Sequence, residues 1–304
     1  MFSWFFFAIV GHVANGAAFV IDKTLLRGSF KRPATYAALI GTLSIVVLIL
    51  IPFGVAIPDA RGWILMAASG ATFVFALWAF FAALANGEAS RVVPVVGSLI
   101  PLITLAGTAT FLGETLTATQ GAGFFLLLVA TVILSGGKRT ERLQMKTIGV
   151  AILAAVLFAF SSVTAKAMYD GYGFLSGFTL SRLFSVGAGV LLLVIDRRAY
   201  RELLAGFFKK QPAKKGDVKN AIGWVVGAQV LGGIGFLGVQ YATSLGSAAL
   251  VNALQAVQYA FLVLVAFVLS KRAPLLLGES VRLPVVLQKG VAILLVAIGL
   301  WLVV

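Results

Sequence analysis

The chain has 304 residues, of which 61% are apolar and only 11% charged, with 24 Lys and Arg against 10 Asp and Glu for a formal charge of +14. Soluble domains carry about 25% charged residues, so this composition excludes a domain solvated by water alone. The chain has no cysteine, which excludes disulfides, iron–sulfur clusters and thiolate catalysis, and its one histidine, His12, cannot build a metal cluster alone.

A bilayer span needs roughly 20 mainly apolar residues. Runs of that kind predict ten membrane helices, five over about 3–22, 34–54, 62–86, 90–111 and 119–136, and five over about 147–167, 173–195, 220–243, 246–269 and 285–304. The first run, from Ser3 to about Ile21, has no basic stretch before it and reads as a retained helix rather than a cleaved signal peptide. Charge, Gly or Pro separates the runs, as at Lys31-Arg32-Pro33, Pro58-Asp59, Gly113-Glu114 and Gly136-Gly137-Lys138. The longest polar break, Asp196 to Asn220, holds Lys209, Lys210, Lys214 and Lys215 and an apolar patch, Leu203 to Phe208. That patch is either an amphipathic helix on the membrane surface or part of a solvated basic loop.

The positive charge is sorted by side. The odd-numbered connections hold 21 of the Lys and Arg, the even-numbered connections and termini hold only Arg61 and Lys166, and Arg182 lies inside a span. Lys and Arg favour cytoplasmic loops, so the odd connections are expected in the cytoplasm and both termini outside. No basic stretch is interleaved with stacking aromatics, so a nucleic-acid partner is not expected.

Three anchors repeat along the chain. Lys23 and Gly28 match Lys166 and Gly171, Ala83 and Gly87 match Ala242 and Gly246, and Leu112-Gly113-Glu114-Thr115 matches Leu277-Gly278-Glu279-Ser280. The expected fold is therefore an all-α membrane protein of ten transmembrane helices, as a first five-helix repeat over 1–137 and a second over 145–304. Five spans per copy is an odd number, so the second copy is inverted, a recurrent plan for secondary transporters. Leu112-Gly113-Glu114, Leu116-Thr117, Gln120 and Gly123, with Ala82-Ala83-Leu84, Ala89, Val93-Pro94 and Pro101 before them, resemble an EamA-type unit of the drug/metabolite transporter superfamily. The match is looser in the second copy, where Gln288 lies nine residues after Glu279 while Gln120 lies six after Glu114. The resemblance implies a ten-span permease for small metabolites, amino acids above all. It also implies cytoplasmic termini, opposite to the charge distribution.

Polar groups inside spans are costly and face a bundle interior or a wet cavity. Arg182 is the tenth residue of its span, and every acidic residue of a span lies near an end. It anchors an anionic substrate group, caps backbone carbonyls or snorkels. Asn252, Gln255 and Tyr259 share one helical face, flanked by Gln258, and either line a cavity or bond neighbouring helices. His12 and Asn15, three apart, share another face, where the imidazole either relays protons or bonds a neighbour. Gln229 in the eighth span and Trp78 in the third complete the candidate substrate-binding set, with Trp78 either stacking on substrate or facing lipid. Gln240 and Tyr241 are weaker candidates. Lys23 and Lys166 draw in anions or snorkel, and Glu114 and Glu279 suit the positive ends of the helices they precede.

These readings converge on a secondary transporter, an exporter or exchanger of amino acids or related carboxylate-bearing solutes by alternating access, in a prokaryotic inner (plasma) membrane. An organophosphate or nucleotide-sugar exchanger is the alternative within transport. A non-transporting membrane scaffold is the alternative outside it. An enzyme is not expected, because no acid–base pair, metal cluster or paired nucleophile is apparent. No cofactor is expected either, and without a Gly-x-x-x-x-Gly-Lys-Ser/Thr loop ATP does not drive the chain directly. The partners expected are the small-molecule substrate and the bilayer, with monomer and homodimer both open.

Overall fold

The computed structural model describes residues 3–25, 32–135, 144–208, 218–269 and 283–304, and every element among them is helical. In chain order these are α1 (Ser3–Leu25), α2 (Pro33–Leu43), a tighter 3-10 continuation of α2 (Ser44–Phe53), α3 (Ala60–Ala85), α4 (Ala89–Leu112) and α5 (Ala118–Ser135). The second half adds α6 (Met145–Tyr172), α7 (Phe174–Ile195), α8 (Arg197–Phe208), α9 (Val218–Leu245), α10 (Ala248–Ala253), α11 (Gln255–Leu269) and α12 (Leu283–Val303). Eight helical stretches among the described residues are long and apolar enough to cross a membrane, and two further apolar stretches, Val230–Leu245 and Leu287–Val303, are shorter. The chain is thus a multi-pass membrane protein, and its helices follow the expected apolar runs. The boundary expected between the repeats, around 137–145, falls largely outside the described residues, as do Gly28, Gly278 and Glu279.

Local chemistry sets the helix ends. Asp59 accepts from the Gly62 N–H at 2.8 Å and caps α3. Thr117 and Gln120 cap α5 reciprocally: the Gln120 N–H donates to Thr117 Oγ1 (3.2 Å) and the Thr117 N–H to Gln120 Oε1 (3.1 Å). Gly173, at a φ of 74°, turns the chain between α6 and α7 in a conformation that a side chain would oppose.

Each half packs mainly on the other. α1 lies along α9, α3 along α6 and α7, α2 along α7, and α5 along α12. Small residues make these contacts: Ala37, Ala38, Ala79, Ala83, Ala154 and Ala155 are fully buried. Large apolar side chains such as Ile49, Phe111, Val194 and Trp301 point outward. That reverses the distribution of a water-soluble protein and follows from lipid, which gives no hydrophobic reward for hiding large side chains but lets helices associate where backbones approach closely. At the α3–α6 contact two serines bond across reciprocally, Ser161 Oγ to Ser69 O (2.8 Å) and Ser69 Oγ to Ser161 O (3.2 Å).

The Leu203–Phe208 patch belongs to α8, so the helical alternative holds for it. Asp196 caps this helix, accepting from the N–H groups of Arg198 and Ala199 at 3.1 Å, and pairs with Arg32 at 3.0 Å. Glu202 accepts from Thr35 Oγ1 at 2.6 Å and from the Arg32 N–H at 3.2 Å, which latches α8 onto the start of α2. Ala199 and Leu203 are buried, while Tyr200 and Leu204 are exposed. Partial burial raises the Asp196 pKa, but the Ala199 N–H and the Arg32 charge outweigh it, and the carboxyl sits below its ordinary value. A depressed folded-state pKa means that the contribution of the latch is present above the unfolded pKa and is lost as pH falls through the folded one. Protection of the Ala199 amide against exchange, relative to its intrinsic rate, should therefore persist from neutral pH down to about pH 4 and be lost only below it. In Asp196→Ala that protection should already be lost at neutral pH, and unchanged protection there would remove the carboxylate from the latch.

Candidate functional site

A cavity of about 310 Å³ lies between α1, α3, α4, α6, α9, α10 and α11. It has two unlike walls. His12 and Asn15 from α1, Asn252 from α10, and Gln255, Gln258 and Tyr259 from α11 make a polar wall. Phe73, Phe80 and Phe81 from α3, Phe158 from α6 and Phe236 from α9 make an aromatic one, edged by Ser161 and Ser162 of α6 and by Gln240 and Thr243 of α9.

A proline-bearing helix and a broken one shape the polar side. Pro94 and Pro101 lie inside α4, and Pro101 has no N–H to offer the carbonyl of Gly97, a cavity residue. Across the cavity, the helix breaks at Leu254 between α10 and α11, where the Val257 N–H bonds Leu254 O at 2.9 Å in a tighter turn. His12 Nε2 lies 2.9 Å from Val251 O at this break. A carbonyl can only accept, so Nε2 carries the proton and a neutral ring leaves Nδ1 as an acceptor. Asn252 Nδ2 donates to Thr104 Oγ1 (3.1 Å), tying α10 to α4, and Gln255 Nε2 donates to Tyr259 Oη (3.1 Å). Ser247 caps α10 and donates its own hydroxyl to Glu114 Oε2 at 3.1 Å, so Glu114 joins the end of α4 to the start of α10.

Arg182 does not line this cavity. It is 2% exposed on α7, with its guanidinium 5.3, 5.6 and 5.1 Å from the ring centroids of Phe73, Phe178 and Phe236. Nη2 donates to Ser181 Oγ at 3.5 Å, and Nε and Nη1 have no hydrogen-bond partner among the described residues. Phe73 and Phe236, with ring centroids 5.1 Å apart, touch both the guanidinium and the cavity.

Of the other sequence candidates, Trp78 is 40% exposed and does not line the cavity. Lys166 pairs with Asp170 at 2.7 Å near the end of α6. Gln240 lines the cavity, whereas Tyr241 packs edge-on against Phe7 and Phe174. Gln229 belongs to α9, but its side chain, like those of Lys23 and Glu279, lies outside the described residues. Reading from sequence missed the aromatic wall, Gly97 and the Leu254 break. The two prolines of α4 were the available signal, since Gly- or Pro-interrupted spans mark transporter sites.

Residues 2–136 match the EamA-like transporter family. The resemblance read from Leu112-Gly113-Glu114 and its neighbours is borne out over that stretch, which takes in α1 to α5. No curated protein sequence matches the chain. One solved crystal structure is similar with a TM-score of 0.68 over 99% of this chain and 96% of its own, at 17% identity, so the EamA-like half and the second half together share a known fold.

Proposed function

We propose that the protein is a secondary transporter that moves small amphipathic solutes, amino acids or related carboxylate-bearing metabolites, by alternating access across a prokaryotic inner membrane. The observation that carries this reading is the cavity at the junction of the halves, bordered at matching places by the proline-bearing α4 as the fourth span and the broken α10–α11 as the ninth. Interrupted spans of that kind surround substrate sites in inverted-repeat transporters. Ten spans follow if α9 and α12 cross with the other eight. Inversion is supported by the packing, since exchanging the halves turns the α1–α9 contact into the α6–α3 contact. Gly41 meets Gly189 between α2 and α7, and Gly123 meets Gly299 between α5 and α12, in the pairings that a two-fold relation leaves unchanged. The Lys- and Arg-rich side is taken as cytoplasmic.

A lining that combines a polar cluster with an aromatic one suits a solute with a hydrogen-bonding end and an apolar body. The volume lies at the lower end of the roughly 300–1,000 Å³ typical of small-molecule sites. No Lys or Arg among the described residues lines the cavity, which counts against a polyanionic organophosphate. A scaffold would have no use for a buried polar wall. Counterflow in proteoliposomes tests the reading. Vesicles preloaded with an apolar or aromatic amino acid should accumulate the labelled solute against protein-free controls, and Gln255→Leu should slow this at least about tenfold, as loss of a buried hydrogen-bonding group does. Rates equal to protein-free vesicles for amino acids, other carboxylates and sugar phosphates alike would sink it.

A further inference from the structure

We propose that Arg182 anchors a closed subsite for a singly charged oxyanion, the carboxylate of the solute, with Phe73 and Phe236 as the gate between it and the main cavity. The inference rests on the transport reading and goes beyond it by giving the cavity a second compartment with its own charge.

The argument starts from the cost of the guanidinium. A buried cation is normally paired with a carboxylate and fully hydrogen-bonded. Arg182 is 2% exposed, forms no ion pair among the described residues and caps no backbone carbonyl. Its single bond goes to the neighbouring Ser181 hydroxyl, and Nε and Nη1 remain without acceptors. Three phenylalanine faces hold it by cation–π attraction, which favours the charge but satisfies no N–H. The buried Tyr169 hydroxyl, within electrostatic range, also has no partner among the described residues. The cluster therefore holds donors for an anion that it does not itself supply.

Access follows from the rings. Phe73 and Phe236 touch both the guanidinium and the main cavity, so swinging either one opens the guanidinium to that cavity. They come from α3 and α9, the third helix of one half and its counterpart in the other, so movement of the halves against each other changes their separation. Charge sets the ligand class: one cation, with no second Lys or Arg along the cavity among the described residues, neutralises a carboxylate, not a phosphate dianion. The apolar body of the solute would remain against the aromatic wall.

The natural absence of cysteine permits a direct test in intact proteoliposomes. Ser181→Cys reports the closed compartment and Ser162→Cys, on the cavity wall, reports the main one. Ser181→Cys should react at least tenfold faster with an anionic methanethiosulfonate than with a cationic one, Arg182→Gln should bring the ratio near one, and Phe73→Ala should speed both reactions. Labelling of Ser162→Cys without labelling of Ser181→Cys, or with no charge preference there, overturns the subsite and leaves the transport cavity standing. Failure of both cysteines to react overturns the water-accessible cavity itself. A thermal-shift measurement needs no cysteine: phenylacetate should raise the melting temperature of the wild type, phenylacetamide should not, and Arg182→Gln should abolish the shift. A phenylacetate shift that survives Arg182→Gln overturns the assignment.

Discussion

Gly70→Ala should be the most damaging single methyl in the protein. A Cβ at Gly70 would lie 2.0 Å from the Ser181 carbonyl oxygen on α7, 3.0 Å from its carbon and 3.2 Å from the Ser185 nitrogen. All three atoms are backbone, so no rotamer change relieves the overlap, and α3 and α7 must separate. Separation strains the bond from Ser185 Oγ to Gly70 O (3.0 Å) and the reciprocal Ser69–Ser161 pair on the neighbouring face of α3. It also moves Ser181, which flanks Arg182. Overpacking a tight interior typically costs about 1–3 kcal/mol, and this site should lie at the upper end. At about 2–4 °C per kcal/mol, the melting temperature of the detergent-solubilised protein should fall by at least about 5 °C. Gly187→Ala is the control: it lies on the same α7, and a Cβ there meets nothing within 4 Å. That change should be neutral or stabilise by about 0.5–1 kcal/mol, as alanine does in a helix interior. Equal melting temperatures for the two variants would mean that α3 and α7 are not packed this closely.

The second large effect should fall on transport and spare stability. A Cβ at Gly97 would stand 2.9 Å from Tyr259 Oη, the mobile end of a side chain, and 3.5 Å from Thr131 Cγ2. Gly97→Ala should push the phenol aside and break its 3.1 Å bond with Gln255 while leaving the helix ladder intact. Counterflow should slow at least about tenfold, the scale on which small displacements of positioning groups act. Because the obstacle is one oxygen, Gly97→Ala combined with Tyr259→Phe should transport faster than Gly97→Ala alone. Coupling of that sign is expected of residues in contact. A double variant slower than both single ones would show that Tyr259 and Gly97 act separately.

Much of this was readable along the chain because its cause is local. Apolar runs of bilayer length specify helices, since only a helix satisfies its own backbone in lipid. The Leu112-Gly113-Glu114 segment marked the family, and spacings of three, four and seven put His12 with Asn15 and Asn252 with Gln255 and Tyr259. The depth of Arg182 and its lack of an acid within a span were equally plain. Tertiary structure alone decided what each face meets. Phe73 and Phe236 stand 163 positions apart in the chain, and only the packing of α3 and α9 about α6 and α7 brings both rings to the Arg182 guanidinium. The same packing put Arg182 behind those rings instead of on the cavity wall, and turned Trp78 away from it. Periodicity records which residues share a face of one helix, whereas which helices face one another depends on backbone approach at small residues such as Gly70, set by contacts distant in sequence.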